Sequence, residues 1–359
     1  MKIGLRYLPV SYCFCWNITL YTFKNTEINN EKASDSEAKS MLYLIGIHQE
    51  NEEVDIITFD CFNDVTGSTE SFSKMWDIQS KNYTNFPPSK IGESLYTLYD
   101  NFMSSFDFHE YILFCNPLKQ DYLVDTSNPY YKFDNITEST KSGIIKKLTS
   151  MVQEKNKTDG VPFLGEFLAQ VSFYEDRHSK SHYIKSISKF KNTKIINEKV
   201  YENIFKEIRD KQSSLKNSYI ENETIQTPDE VMKFDRYMTK NQLHTLIISK
   251  LVGIEIFSYD GIPTSFLKYI CELDEDDVED LLLECRSNIS KAFFDKNSYI
   301  LFWNIIERIT FEIHKEKSKK VDKIYENTKK RINKIPQYLD EISLKYLISL
   351  LISGYKKCM

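Results

Sequence analysis

With 359 residues, the chain is long enough for two domains, since domains usually run to about 100–200 residues. Hydrophobic residues make up 41% and charged residues 28%, with only 10 glycines and 9 prolines, which indicates an ordered globular protein rather than a disordered or fibrous one. The net charge of −5 argues against a surface that is positive throughout, so any attraction to DNA has to come from local basic patches.

The seven cysteines are scattered and include no Cys-x-x-Cys pair, which predicts a reducing, cytoplasmic location. No apolar run reaches the roughly 18 residues of a membrane span, and the start of the chain lacks a signal-peptide pattern, so we expect no membrane association. The glycine content also leaves no Gly-rich phosphate loop, and ATP hydrolysis by this chain is not expected.

The first third of the chain predicts an alternation of helices and strands. Residues 5–23 alternate apolar and polar side chains and indicate one or two strands. A helix is expected from Ser34, with an apolar face formed by Ala38, Met41, Leu42 and Ile45. The further predicted elements, in chain order, are a strand at 54–62, a turn at 67–72, a strand at 75–81, an amphipathic helix at 91–102 and a buried strand at 110–115.

The predicted strand at 75–81 carries a possible catalytic pattern. Side chains alternate along a strand, so Asp77, Gln79 and Lys81 share one face, while the side chains between them form a mostly apolar face. A metal-dependent phosphodiesterase needs hard oxygen ligands for a divalent cation and a positive charge close to the phosphate. Asp64, which comes just before, together with Gln79 and Lys81 would supply both.

This element order, with Asp64 and Gln79-Ser80-Lys81 in place, resembles the PD-(D/E)xK restriction-endonuclease-like superfamily over residues 34–120. The Gln-x-Lys variant is similar to the double-stranded DNA endonuclease domain of bacterial anti-phage systems, such as the nucleases associated with cGAS-like nucleotidyltransferases and the nuclease subunit of Lamassu systems. The resemblance implies an α/β restriction-endonuclease-like domain, with a mixed sheet flanked by helices. It also implies that Asp64 and Gln79 bind Mg²⁺ or Mn²⁺, that Lys81 acts on the phosphate and that Glu37 is a possible further ligand.

The same resemblance implies an effector of anti-phage defence that cleaves double-stranded DNA. Its expected partners are the other subunits of a defence complex, SMC-like proteins among them, and further copies of the chain. Two other functions stay open. One is a catalytically inactive, nuclease-like subunit that binds nucleic acid or acts as a scaffold, and the other is a helical interaction module whose N-terminal domain only dimerises.

Three site assignments have alternatives in the sequence. Glu37 could complete a capping box with Ser34 at the start of the helix instead of binding metal. Asp60 competes with Asp64 for the metal, and Asp64 could instead cap the following turn, although Asp64 is favoured. Gln79 is a neutral donor, so metal affinity should be weak unless Glu37 or Asp77 contributes.

The rest of the chain predicts mainly helices. Residues 177–194 mix cations with aromatic residues, which fits a solvated strand or hairpin better than a DNA track, and His178 and His182 are not expected to be ligands. A helix is predicted at 200–215, a linker at 216–226, and a sharp helix start with Thr227 at the cap. We therefore expect a nuclease-like domain at 1–215 and an all-α regulatory or oligomerisation domain at 227–359. The lysine-rich stretch 315–334 is expected to be a solvated helix.

Overall fold

The computed structural model describes residues 20–24, 31–157, 159–190, 196–216, 219–316 and 319–357. Most of the strand predicted at 5–23 therefore lies outside the described residues. The described strands are β1 (Tyr21–Thr22), β2 (Ile56–Phe59), β3 (Val65–Ser68), β4 (Met75–Lys81), β5 (Glu110–Cys115), β6 (Tyr130–Lys132), β7 (Val171–Glu175), β8 (Thr224–Ile225) and β9 (Tyr237–Thr239). The described α-helices are α1 (Glu31–Gly46), α2 (Pro88–Phe102), α3 (Glu138–Asn156), α4 (Leu164–Gln170), α5 (Lys180–Ser188), α6 (Glu198–Leu215), α7 (Lys240–Val252), α8 (Glu275–Phe294), α9 (Tyr299–Lys315), α10 (Val321–Lys329) and α11 (Glu341–Lys357).

Seven of these strands form one mixed sheet in the order β6-β7-β5-β4-β3-β2-β9. Strands β2, β3 and β4 form an antiparallel meander, because the turns between them are short. Strands β4, β5 and β7 run parallel, and α2 provides the crossover between β4 and β5. Both edge strands, β6 and β9, are antiparallel to their neighbours. The predicted mixed sheet flanked by helices is confirmed.

The two faces of the sheet are covered by different helices. Alternate residues of β4 pack against the helices on opposite faces. Trp76 and Ile78 pack in the core that includes α1, α5 and α6, whereas Met75 lies in the core of the opposite face with α2 and α3. The alternation predicted for this strand is confirmed. The apolar face predicted for α1 is also buried, and so is that of α2 at Ile91, Leu95, Leu98 and Phe102.

The C-terminal region is helical, as predicted, but its first residues belong to the sheet. Residues 228–234 form a short 3₁₀-helix after Thr227, and β9 then pairs with β2. The helical region proper therefore starts at Lys240. Its helices continue the hydrophobic core of one sheet face, where the rings of Phe190 and Trp303 lie 5.8 Å apart.

Three local predictions are wrong. The segment predicted as a solvated strand or hairpin contains helix α5, because Tyr183, Ile184 and Ile187 recur at helical spacing and are buried. Helix α1 already includes Glu31, so Ser34 lies inside the helix rather than at its predicted cap position. The lysine-rich stretch is not one long helix, because α9 ends at Lys315 and α10 begins at Val321.

Candidate functional site

The pairing of β3 with β4 brings Asp64 next to Gln79. Val65 pairs with Ile78, and the next position along this antiparallel register joins Asp64 to Gln79. The Asp64 carboxylate accepts hydrogen bonds from the Gln79 side-chain amide and, at 2.7 Å, from the backbone N–H of Ser80. Two residues that sequence analysis assigned to one site are thus in direct contact.

The side-chain amide of Gln79 is held at both ends. Its nitrogen donates to Asp64, and its oxygen accepts a hydrogen bond from the Thr97 hydroxyl on α2. A carboxylate attracts the NH₂ end of an amide, so this orientation is the one expected without a cation. A cation beside Asp64 would reverse it, because only the amide oxygen can bind metal. The Thr97 hydroxyl suits both orientations, since it can accept a hydrogen bond as well as donate one.

Asp77 lies on the same strand face but below the surface. It is fully buried and accepts a hydrogen bond of 2.7 Å from the side-chain amide of Asn101 on α2. The Asn63 amide is 3.5 Å away, and its oxygen accepts a hydrogen bond from the backbone N–H of Asp64. Burial raises the pKa of Asp77 to about 7. Asp77 therefore supports the loop that carries Asp64 and does not itself reach the cleft.

A cleft of about 660 Å³ opens above Asp64 and Gln79, between the β2–β3 connection and α2. Its lining is rich in carboxylates, which come from Asp60, Asp64, Asp100 and Glu221, whereas Lys24 and Lys155 are its charged basic residues. Lys24 is already paired with Asp100 at 2.8 Å. This surplus of negative charge repels a bare phosphodiester and attracts a divalent cation.

Glu37 lies behind the cleft in a buried group of charges. Its carboxylate accepts hydrogen bonds from Gln212, at 3.2 Å, and from the Lys216 ammonium group. The same ammonium group is 3.0 Å from the Asp60 carboxylate, which also meets Arg236 at 3.4 Å. Burial raises the pKa of Glu37 to about 7, although the charge of Lys216 opposes the shift. Glu37 is therefore paired with the Lys216 ammonium group and does not line the cleft.

Lys81 ends β4, two residues beyond Gln79 on the same face of the strand. Its side chain is half-buried and makes no hydrogen bond or ion pair with any residue that the structure describes. In the register with β5, Lys81 lies opposite Cys115. Lys81 does not line the cleft, so the structure places it at the edge of the site rather than within it.

Sequence analysis missed four residues around this site: Thr97, Asn101, Lys216 and Arg236. The first two lie four residues apart on α2 and point towards β4, so a polar i, i+4 pair beside the apolar face was an available signal. The two cations come from segments far away in the chain, and nothing in their local sequence indicates Asp60 as their partner.

The donor set decides which metal could bind here. Within the described ranges, no three His, Cys, Asp or Glu side chains come together as a metal site. Of the ligands predicted from sequence, those that line the cleft and offer oxygen donors are Asp64, through its carboxylate, and Gln79, after reversal of its amide. Mg²⁺ commonly binds through one or two protein oxygens and keeps several waters or substrate phosphates, so this sparse set fits Mg²⁺ or Mn²⁺ better than a caged ion.

The chain matches no protein-family model, no curated protein and no solved structure. In the part of the chain that the structure describes, no helix is both long and apolar enough to cross a membrane.

Proposed function

We propose that this chain is a metal-dependent endonuclease that hydrolyses double-stranded DNA. The observation that carries the proposal is the contact between Asp64 and Gln79 in an acidic cleft. The order of α1, the β2–β4 meander, α2 and β5 also supports the proposed likeness to PD-(D/E)xK nucleases. In that family an acid and an acid- or amide-x-Lys pattern lie on neighbouring strands.

In this proposal Asp64 and Gln79 would hold Mg²⁺ or Mn²⁺, which polarises the scissile phosphate and supplies an activated water molecule. Gln79 turns its amide oxygen towards Asp64, and its nitrogen then donates to Thr97. Lys81 stabilises the negative charge that develops on the phosphate, which requires its side chain to extend from the edge of β4 towards bound DNA. Glu37 remains a possible further ligand, although it is paired with Lys216 and does not line the cleft.

The biological setting rests on the resemblance alone. We propose a cytoplasmic effector of bacterial anti-phage defence that is activated by oligomerisation or by release from partner subunits, SMC-like proteins among them. A nuclease of low sequence selectivity has to be held inactive in its host. The large helical region, which contributes no residue to the cleft among those described, is suited to that control.

The test is cleavage of supercoiled plasmid DNA by the purified full-length chain in Mg²⁺ or Mn²⁺, with and without EDTA. We expect linear or nicked product with metal and none with EDTA. Contaminating nuclease is controlled by the Lys81→Ala protein, purified in parallel. A chain that binds DNA but shows no metal-dependent cleavage would support the inactive-subunit alternative, which the neutral side chain at Gln79 favours.

A further inference from the structure

The charge group behind the cleft contains one cation more than Asp60 needs as a partner. The Lys216 ammonium group lies between the carboxylates of Glu37 and Asp60, and only 7% of its side chain is exposed. Asp60 already has a second cation, because Arg236 reaches both its carboxylate and its backbone oxygen. Asp60 would therefore remain paired if Lys216 were absent.

Asp60 lies between the cleft and the charge group behind it. It lines the same cleft as Asp64, and it contacts Lys216 from behind. The fields of Asp60 and Asp64 both reach Glu37, so the three carboxylates interact electrostatically. A positive charge placed among them weakens the attraction of this group for any second cation nearby.

We infer that Lys216 is a positioning residue that sets the divalent-cation affinity of the site, by occupying with its ammonium group the negative field that Glu37 and Asp60 would otherwise offer to the metal. This inference rests on the proposed metal-dependent function. It gives a role to the charge group formed by Glu37, Asp60 and Lys216 behind the predicted ligands. It assigns Lys216 no contact with DNA or with the reacting atoms.

The end of helix α6 positions the ammonium group of Lys216. Gln212, in the last turn of α6, and Lys216, just beyond its end, both contact Glu37. The buried side-chain oxygen of Gln212 has no hydrogen-bond partner among the described residues, so this end of α6 is not fully satisfied in its present position. A partner that moved the end of α6 would withdraw the ammonium group and strengthen metal binding.

The experiment is Mn²⁺ titration of the full chain by isothermal calorimetry, without DNA. Lys216→Met removes the charge and keeps the length of the side chain, and we expect it to bind Mn²⁺ roughly tenfold more tightly than wild type. Lys216→Arg keeps the charge and should bind like wild type. Lys211→Met, at an exposed position of the same helix, is the matched control and should also change nothing.

A second variant guards against loss of folding. Glu37→Gln combined with Lys216→Met removes both charges of the buried pair and keeps an acceptor for Gln212. It frees Asp60 from the ammonium group but also removes the negative charge of Glu37, so it should bind Mn²⁺ more tightly than wild type and less tightly than Lys216→Met. If both variants bind Mn²⁺ no more tightly than wild type, the role of Lys216 is wrong while the proposed function stands. If wild type, Lys216→Met and the double variant all fail to bind Mn²⁺, the metal-dependent function itself fails, and this inference fails with it.

Discussion

The carboxylate of Asp64 and the side-chain amide of Gln79 are joined by a hydrogen bond across two neighbouring strands. This contact exists because Val65 pairs with Ile78, and a shift of the register by one residue would turn Gln79 to the opposite face of the sheet. The position of Gln79 is therefore determined by the strand pairing, and Asp64, which directly precedes β3, is brought to it by the same register.

We predict that Asp64→Ala abolishes DNA cleavage and Mn²⁺ binding, because it removes the charged ligand of the site. Asp60→Ala should retain measurable metal binding, since Asp60 is engaged by Lys216 and Arg236. Calorimetry and plasmid cleavage test both variants. The opposite pattern, with activity lost only in Asp60→Ala, would mean that the acid has been misassigned.

Gln79→Glu should strengthen Mg²⁺ binding by about tenfold or more, because a carboxylate replaces a neutral amide. Without metal the same variant should be less stable than wild type, since the introduced carboxylate would face Asp64 without a cation between them. Thermal unfolding with and without Mg²⁺ measures both effects. Gln120→Glu, at an exposed position, controls for added charge. Equal metal-induced stabilisation of wild type and Gln79→Glu would argue against Gln79 as a ligand.

Lys81→Ala should reduce the cleavage rate by about 100–1,000-fold and leave folding and DNA binding almost intact, because a group that stabilises the transition state contributes little to the ground state. Its side chain makes no ion pair with a described residue, so little stability depends on it. Single-turnover cleavage and filter binding separate the two effects. Lys146→Ala, on the exposed face of α3, is the matched control, and an unchanged rate in Lys81→Ala would refute the assignment.

His244 should make the protein sensitive to mild acid. Burial lowers its pKa to about 3, with further lowering by Lys240 and Lys189, while its ring stacks on Tyr299 at 4.9 Å. In the unfolded chain His244 takes up a proton near pH 6.5, whereas in the folded chain it stays neutral until about pH 3. The contribution of the neutral side chain to the free energy of unfolding is therefore fully present above pH 6.5 and is lost as the pH falls from 6.5 towards 3.

We predict that wild type loses about 2 kcal/mol of unfolding free energy between pH 7 and pH 5 relative to His244→Phe, which keeps the stacked ring. Urea unfolding of both proteins at each pH gives this difference. Carboxylates with shifted pKa values affect both proteins alike and cancel in the comparison. Parallel pH profiles would show that His244 is not the titrating group.

The helical region should mediate assembly, either with a partner or between copies of the chain. A version ending near Gln226 is a poor test, because it would lack β9 and Arg236 and leave the sheet incomplete. We predict instead that Leu283→Glu, which alters a side chain 65% exposed on α8, lowers the mass of the full chain in solution. Light scattering after gel filtration measures the molecular mass in solution. Val124→Glu, 73% exposed beside the sheet, should leave the mass unchanged.

Local patterns predicted most of the elements that build the site. The bounds of β4 and β5 follow from runs of apolar and polar residues that need no distant information, and the contact between Asp64 and Gln79 follows from pairing β3 with β4. Helix α5 was missed because the many cations among residues 177–194 favoured a solvated strand or hairpin, although Tyr183, Ile184 and Ile187 recur at helical spacing. Lys216 and Arg236 could not be assigned to Asp60, because their contacts form only when distant segments pack together.

The pairing of β2 with β9 has a consequence for how the protein is made. One edge of β2 pairs with β3 early, where Ile56 lies opposite Ser68, but its other edge cannot pair until Thr239 has been synthesised. Arg236 reaches Asp60 only at about the same time. A ribosome adds about 5–20 residues per second, so the interval is on the order of ten seconds. During that time the meander that carries Asp64 and Gln79 has an open edge, and the charge group behind it lacks Arg236. The newborn chain therefore completes the proposed metal ligands while the helices that we expect to restrain them are still to be synthesised. Any early restraint would have to come from a partner protein or from a low concentration of free metal.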